Sequence, residues 1–393
     1  MVEESYSQRG VFAAACVGMF AFAVTENCVS ALVPVVIRQF EIDRVAAGAL
    51  LTLLTFGVLL GSLLFGPVVD RYGYRGLLLI CGALTLAGVE WLAMAPSLRS
   101  LQGAVVLIGF GGGVINGAAS ALVSDISLEG RGARLSVLGV FFGIGAMSAP
   151  LVISLLLDRF GYGPAVAWLG VVMVPFLLLT AAIRFPVPKR VEGISLREAV
   201  QLIRQPTLLL LGLMLLIQSG LETTMGGWTA PFYQEQYGIA TDRALLYITL
   251  FWTGLMLARF LHGTALHFLP ATSAIPGSLA LAVVGGAVMT FAPNLPIAAM
   301  GTFAAGLGCG GVFPLLLSLV GDRYADVSGT AFGIAFTLAL IGGMLLPFVT
   351  GVLGSAFGMR IALAIVPVGL AGSIGLFVAV KHSMKGSTMT GVR

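Results

Sequence analysis

The chain has 393 residues, of which 58% are hydrophobic and only 10% are charged, with Lys+Arg 21 and Asp+Glu 17. An ordinary soluble domain has about a quarter of its residues charged, so this composition excludes a water-soluble fold and indicates that most of the surface faces lipid. The net charge of +4 does not indicate nucleic-acid binding, because the basic residues are scattered through short gaps between apolar runs and form no patch.

Apolar segments long enough to span a bilayer occur twelve times along the chain. A spanning helix needs about 20 mostly apolar residues, and charged or Pro/Gly-rich gaps separate the segments. The segments lack the alternation of barrel strands, so we predict an all-α membrane protein with twelve transmembrane helices. The predicted spans are residues 11–37, 45–68, 76–95, 100–123, 133–157, 164–184, 206–232, 243–266, 272–292, 297–320, 328–354 and 361–380.

The Lys and Arg residues between the spans predict the orientation of the protein. Fourteen of them fall on one side and six on the other, and the remaining one, Arg259, lies near the cytoplasmic end of the eighth span. The positive-inside rule therefore predicts that both termini are cytoplasmic. The expected location is the plasma membrane, which in a bacterium is the inner membrane.

A polar stretch and an internal repeat divide the chain into two halves. Residues 185–205 are predicted to be a cytoplasmic linker between one six-helix bundle at 1–184 and a second at 206–393. Two parallel copies of a six-span bundle are typical of one large class of secondary transporters, which bind substrate between the halves near the bilayer midplane. A shift of 197 residues superposes Gly109 on Gly306, Asp125 on Asp322, Gly132 on Gly329, Pro150 on Pro347 and Gly161 on Gly358.

A short motif follows the second span, Gly66-Pro-Val-Val-Asp70-Arg71-Tyr-Gly73-Tyr-Arg75. It resembles the cytoplasmic loop signature of the major facilitator superfamily, G-x-x-x-D-[RK]-x-G-x-[RK], and the twelve spans and central linker are also similar to that family. The resemblance implies that a cluster of charged residues holds the cytoplasmic side closed while the site faces outward. The residues assigned to this cluster are Asp70, Arg71, Arg75, Asp125, Arg131 and Asp322, the repeat counterpart of Asp125.

The motif also has a direct physical interpretation. A carboxylate at a helix end accepts hydrogen bonds from the N-terminal N–H groups of a neighbouring helix, and the two arginines are expected to pair with acids in nearby loops. The alternative is that Arg71 and Arg75 serve only as topology signals.

Three acids lie inside predicted spans. Glu26 and Glu222 lie near the middle of spans 1 and 7, and the repeat relates them to within one residue, so they are expected on opposite walls of a central cavity. Burial favours the protonated form of a carboxylate, so both are predicted to couple transport to protons. The alternatives are that one of them accepts hydrogen bonds from substrate hydroxyls or is a structural partner of a polar side chain. Glu90, near the outer end of span 3, is expected to reach the headgroups.

Polar and aromatic side chains in the spans indicate the class of substrate. Because no lysine lies in a span and Arg259 is near a span end, no fixed positive charge is expected at the centre, and an anionic substrate is disfavoured. Amides and hydroxyls match the vicinal hydroxyls of a sugar, and aromatic faces stack on its C–H side. The predicted binding residues are Asn27, Asn116, Ser120, Gln218, Thr223, Trp228, Tyr247 and Trp252. The stretches 218–233 and 109–120 resemble the seventh and fourth helices of the fucose permease branch of the family.

These features predict a secondary active transporter, and not an enzyme, that moves a small neutral hydrophilic solute, with a sugar favoured, by proton-coupled symport and alternating access. A drug/proton antiporter, a transport-dead membrane sensor and coupling to sodium remain alternatives. Span 5 carries only part of the antiporter motif, because Ala149 and Ile153 replace two of its glycines, and this disfavours the drug antiporter. No cofactor and no metal are expected. The expected partners are the substrate and the lipid bilayer, with no nucleic acid, and the chain is expected to act as a monomer.

Overall fold

The computed structural model describes residues 6–41, 44–127, 129–187, 201–239 and 241–389. The extreme termini and residues 188–200 of the predicted linker lie outside the described residues. The described chain is 89% helical and contains no strand, which confirms the predicted all-α fold.

The helices follow the predicted spans closely along the described chain. The sixth predicted span is divided between two shorter helices, α6 and α7, and the twelfth between α13 and α14. A one-turn 3-10 helix, Ala325–Val327, precedes α12. The helices are α1 Gln8–Gln39, α2 Arg44–Tyr72, α3 Tyr74–Ala93, α4 Leu98–Asp125, α5 Arg131–Phe160, α6 Tyr162–Gly170, α7 Met173–Ala182, α8 Pro206–Tyr237, α9 Thr241–Gly263, α10 Ala271–Phe291, α11 Leu295–Arg323, α12 Ser328–Phe357, α13 Met359–Leu363 and α14 Ile365–Met389.

Eleven segments of the described chain are long and apolar enough to cross a membrane. The eighth predicted span, which forms α9, is not among them. This helix has 23 residues, or about 35 Å of length, so it is long enough to span. Its mean hydropathy is lowered by Arg259 and by several hydroxyl groups. The protein is therefore a multi-pass membrane protein.

Local chemistry sets several of the helix ends. Ser7 and Ser97 precede α1 and α4, and their hydroxyl groups accept hydrogen bonds from the backbone N–H groups of Gly10 and Ser100. The breaks before α6 and α13 need glycine, because Gly161 and Gly358 have φ values of 77° and 85°, a region that other residues rarely adopt. Since these two glycines are repeat partners, the same break recurs in both halves of the sequence.

The described residues group into two compact units. The first comprises those within Met1–Leu128, Leu138–Leu196 and Tyr324–Gly333, and therefore includes the start of α12. The second comprises those within Glu129–Val137, Arg197–Arg323 and Ile334–Arg393, and includes the start of α5.

Close helix contacts repeat in the two units at the offset seen in the sequence. In the first unit, a β-carbon at Gly109 of α4 would overlap with the carbonyl oxygen of Leu54 in α2. In the second unit, a β-carbon at Gly306 of α11 would overlap with the carbonyl oxygen of Phe251 in α9. Gly306 lies 197 residues after Gly109, and Phe251 lies 197 residues after Leu54. Glycine is required at both positions because the helix backbones touch there.

We expect Gly306→Ala to lower the free energy of unfolding by about 1–3 kcal/mol, because the new methyl group has no space between α9 and α11. Unfolding of the purified protein in mixed micelles measures this. The matched control is Gly372→Ala in α14, where a β-carbon meets no atom within 4 Å. The control should gain about 0.5–1 kcal/mol through its higher helix propensity. Equal losses in the two variants would contradict the packing explanation.

Candidate functional site

A charged cluster in the second unit is centred on the carboxylate of Glu222 in α8. Gln218, one turn earlier on the same helix, donates a hydrogen bond of 2.8 Å from Nε2 to Oε1. The other carboxylate oxygen, Oε2, lies 3.6 Å from Nη2 of Arg259 in α9. The side chains of Glu222 and Arg259 are only 12% and 10% exposed, so this is a buried ion pair. Both oxygens of the carboxylate therefore have a partner.

Helix α11 supplies two successive carbonyl groups that hold this cluster. The carbonyl of Cys309 accepts a 3.1 Å hydrogen bond from Nε2 of Gln218, and that of Gly310 accepts one of 3.4 Å from Nε of Arg259. In a regular helix the carbonyl of Gly310 would bond the N–H of residue 314, but that residue is a proline and has no N–H group. Pro314 therefore leaves an acceptor inside the helix bundle, and Arg259 uses it.

The position of Arg259 corrects one prediction from the sequence. We expected this side chain near a span end, with no fixed positive charge among the central polar residues. Instead, the guanidinium extends to Glu222, which lies sixteen residues into the 32-residue helix α8. The argument against an anionic substrate therefore loses its basis.

The acid of the first unit, Glu26 of α1, has different surroundings. Its side chain is half-buried, and within the described residues its carboxylate makes no hydrogen bond or ion pair. Its polar neighbours in sequence are bonded to their own helix: Thr25 donates to the carbonyls of Ala21 and Phe22, and Asn27 donates to that of Ala23 at 2.9 Å. The amide of Asn27 thus still offers its oxygen as an acceptor.

The predicted polar residues of α4 are displaced from Glu26 along the helix axis. The ring of Phe22 packs directly over Gly112, which fixes the register between α1 and α4. The short connection from α1 to α2 makes these two helices antiparallel, and α2 and α4 run in the same direction, because Leu54 and Val58 meet Gly109 and Gly113 in order.

Helices α1 and α4 are therefore antiparallel. Glu26 lies four residues from the Phe22–Gly112 contact in one direction and Asn116 four residues from it in the other, which separates them by about 12 Å along the axis. Asn116 is half-buried, and Ser120, one turn further on, is buried at 3% exposure. The first unit thus does not bring Asn116 and Ser120 next to Glu26.

The aromatic residues predicted to bind substrate make defined contacts in the second unit. Trp228 donates from Nε1 to the carbonyl of Pro347 at 2.9 Å, so its N–H group is already used between α8 and α12. Tyr247 stacks on Tyr233 with ring centroids 4.1 Å apart, which leaves one face for another contact.

Two further predicted binding residues lie near the charged cluster. Trp252 is half-buried and lies against Gly226, one turn from Glu222 on α8. Trp252 and Arg259 are seven residues apart and therefore share a face of α9. Thr223 is exposed, and its hydroxyl donates to the carbonyl of Ser219.

The motif after α2 forms a hydrogen-bonded helix cap within the first unit. Asp70 is only 2% exposed and accepts from the backbone N–H groups of Gly329 and Thr330 at 3.1 and 2.9 Å, and from the Thr330 hydroxyl at 2.8 Å. These groups belong to the first turn of α12, where the helix dipole favours a negative charge. The motif carboxylate therefore binds a helix of the second half of the sequence.

Tyr74 occupies a position of the motif at which any residue is allowed, and the sequence did not reveal its contacts. Its hydroxyl donates to Asp125 at 2.5 Å and also interacts with Ser328, the first residue of α12. Its ring is buried at 5% exposure. The side chain of Tyr74 thus connects α4 to the start of α12.

The remaining residues of the predicted cluster are more exposed. Arg75 donates to the carbonyl of Ala181 at 2.6 Å, at the end of α7, and Arg71 lies over the ring of Tyr72. In the second unit, Arg131 forms an ion pair with Asp322, whose side chain is 55% exposed. Arg75 therefore contacts a helix C-terminus, where a cation is favoured, rather than the loop acid that we expected.

Spanning helices that bury carboxylates and an arginine are characteristic of secondary transporters. The sequence profile of the Major Facilitator Superfamily matches residues 15–267, more than half of the chain, and the chain belongs to this family.

Known members of the family show how far the likeness extends. The glucose/mannose transporter GlcP of Bacillus subtilis is 20% identical over an alignment that covers 87% of this chain and 88% of GlcP. The structure of the Escherichia coli fucose:proton symporter FucP superposes with a TM-score of 0.79 at 18% identity, covering 94% of this chain and 98% of that one. The human organic anion transporter MFSD10 superposes with a TM-score of 0.80 at 15% identity, and the superposition covers 95% of this chain and 100% of MFSD10. At these identities the structural likeness establishes the fold.

Proposed function

We propose that this protein is a proton-coupled symporter of a small hydrophilic solute, with a sugar as the favoured substrate, that works by alternating access. The proposal places it in the inner membrane with both termini in the cytoplasm, as a monomer whose only partners are substrate and lipid. The coupling ion is the proton, and no cofactor or metal takes part.

The observation that carries the proton coupling is Glu26, a half-buried acid in a spanning helix with no charged partner among the described residues. A lone carboxylate in a low-dielectric site binds a proton readily and releases it when water reaches it. If the site opens to each side of the membrane in turn, Glu26 therefore carries one proton in each cycle.

Two kinds of observation support a sugar as the substrate. Gln218, Glu222, Arg259 and Trp252 place amide, carboxylate, guanidinium and indole groups within about two helical turns of one another, which suits a polyhydroxylated solute. GlcP, which is similar in sequence, is named as a glucose/mannose transporter, and FucP, which has a similar fold, is named as a fucose:proton symporter.

The experiment is a measurement of internal pH in proteoliposomes that contain the purified protein and no sodium. A panel of sugars is added first, then a panel of organic anions and a panel of lipophilic cations. Acidification of the interior on adding a sugar is the expected result. Empty liposomes and liposomes with the Glu26→Gln protein are the controls.

Other outcomes would replace the proposal. Alkalinisation with lipophilic cations would identify a drug/proton antiporter, and sugar uptake that requires sodium would change the coupling ion. No solute movement under any condition would favour a transport-dead sensor.

The buried guanidinium of Arg259 favours an organic anion as a second candidate substrate. An arginine in a spanning segment offers planar paired donors to a carboxylate, and MFSD10, with a similar fold, is named as an organic anion transporter. The anion panel decides between the two, since acidification of the interior on adding an organic anion, but not on adding a sugar, would identify an anion–proton symporter.

We expect Asp70→Asn to slow solute uptake about tenfold while the protein still folds. An asparagine keeps one acceptor oxygen but presents an amide N–H group to the N–H donors of Gly329 and Thr330, so the α2–α12 contact is weakened. Initial uptake rates into proteoliposomes measure this.

The matched control for this variant is Asp326→Asn, an exposed acid in the 3-10 turn before α12. The control removes the same charge three to four residues away from the bonded N–H groups and should leave uptake unchanged. An unchanged rate in Asp70→Asn would remove the functional role of this contact.

A further inference from the structure

The two acids at related positions of the repeat differ in what surrounds them. At the offset of 197 residues, Arg259 corresponds to Ser62 and Pro314 corresponds to Gly117. The first repeat therefore lacks both the cation and the proline that leaves a carbonyl group free to hold it. The pairing of acid with arginine belongs to the second repeat alone.

We propose that Arg259 is a positioning residue that keeps the carboxylate of Glu222 ionised throughout the transport cycle, so that Glu222 serves as a permanently charged substrate ligand and the proton is carried by Glu26. This inference rests on the proposed function and divides its roles between the two acids. It assigns to Arg259 a task that the loop motif and the family membership do not specify.

Burial disfavours the charged form of a carboxylate, and the contacts of Glu222 counteract this effect on geometric grounds. One oxygen faces a guanidinium, which is always charged in proteins, and the other accepts from the amide of Gln218. A proton on either oxygen would replace one of these attractive contacts with a repulsive or unpaired one.

Within the described residues, the environment of Glu222 contains no second charge that would reverse this preference. Helices α9, α11, α12, α13 and α14 pack on α8, and the polar and charged groups that act on Glu222 are Arg259 on α9, the Cys309 thiol on α11 and Gln218 on α8 itself. The described parts of α12, α13 and α14 bring no charged side chain to it.

Arg259 is itself held in place, which makes it suited to positioning rather than to substrate release. Its Nε group donates to the carbonyl of Gly310, the acceptor left free by Pro314. The guanidinium is therefore anchored to α11 and paired with a charge on α8, and these contacts link three helices of the second unit.

Glu26 has none of these constraints. Helices α2, α4, α5, α6 and α7 pack on α1, and their described parts bring no charged side chain to the carboxylate. Loss or gain of a proton at Glu26 breaks no ion pair, so this acid can change its protonation state during the cycle at little cost.

The test is infrared spectroscopy of the full-length protein in proteoliposomes, which detects the carbonyl stretch of protonated carboxyl groups. Above about pH 6, solvent-exposed carboxyl groups are ionised, so the remaining band reports buried acids. The variants are Arg259→Gln, the double variant Arg259→Gln/Glu222→Gln, and Arg259→Lys, which retains the charge.

The proposal predicts equal band areas for the wild type, Arg259→Lys and the double variant, because Glu222 contributes no protonated group in any of them. Arg259→Gln should show a band larger by one carboxyl group, since its unpaired Glu222 takes up a proton. An Arg259→Gln band equal to that of the wild type would overturn the proposal.

A second comparison leaves Arg259 unchanged, in case its replacement prevents folding. Glu26→Gln should remove the part of the wild-type band that titrates, and Glu90→Gln, an acid outside the site, should not. A titrating band that persists in Glu26→Gln and disappears when Glu222→Gln is added would assign the proton to Glu222 and contradict the proposal.

The infrared result does not depend on which solute is transported. If the wild type moves no sugar with protons but the band areas follow the predicted pattern, the proposed substrate fails while the role of Arg259 stands. If sugar symport is found and the band areas do not follow the pattern, the division of roles fails while the proposed function stands.

Discussion

Glu26→Gln is expected to abolish accumulation of substrate driven by a pH gradient while exchange of labelled for unlabelled substrate continues. Glutamine has nearly the same shape but cannot carry a proton. With one proton per sugar, each pH unit supports about tenfold accumulation, so a gradient of two units should yield about 100-fold in the wild type and none in the variant. Uptake and counterflow in the same proteoliposomes measure the two quantities.

The matched control is Glu90→Gln, which removes another half-buried acid from a spanning helix, α3, away from the proposed site. It should accumulate substrate like the wild type. Full accumulation in Glu26→Gln would exclude this acid as the proton carrier, and loss of counterflow together with accumulation would identify it as a substrate ligand.

Removing the negative partner of the buried ion pair is expected to destabilise the protein far more than removing the positive one. Glu222→Gln leaves Arg259 buried and charged, because a guanidinium cannot release its proton, and this costs about 3–5 kcal/mol. Arg259→Gln leaves an acid that neutralises itself by binding a proton, so the loss should be smaller. The double variant, with no buried charge at the site, should recover most of the stability lost in Glu222→Gln.

Unfolding in mixed micelles gives the three free energies, and the double-mutant cycle gives the coupling between the two side chains. The control is Asp322→Asn, which breaks another ion pair of the second unit, that with Arg131. Because Asp322 is 55% exposed, its loss should cost at most about 1 kcal/mol. Equal costs for Glu222→Gln and Arg259→Gln would show that the pair is not desolvated as the structure indicates.

The amino-acid sequence determined the fold class, the positions of the long apolar helices and the repeat, because these depend on local composition and on spacing along one chain. About 20 apolar residues span a bilayer whatever they pack against. The repeated glycines could be recognised from their constant spacing along the chain. In the structure, Gly109 and Gly306 bring helix backbones together in both units. The motif carboxylate Asp70 was recognisable from its spacing to neighbouring charges.

The tertiary structure decided which polar groups meet, because a side chain's partner lies on another helix at a register that the sequence does not display. Asn116 and Glu26 both lie in spans, yet the contact of Phe22 with Gly112 sets them about 12 Å apart along the axis. Tyr74 reaches Asp125 across 51 positions of sequence. From the sequence, Arg259 was expected at the periphery because it is near the end of its helix, but its long side chain reaches Glu222. The carbonyl of Gly310 anchors this side chain. That carbonyl is free of its usual helical hydrogen bond because Pro314 lies four residues further along α11.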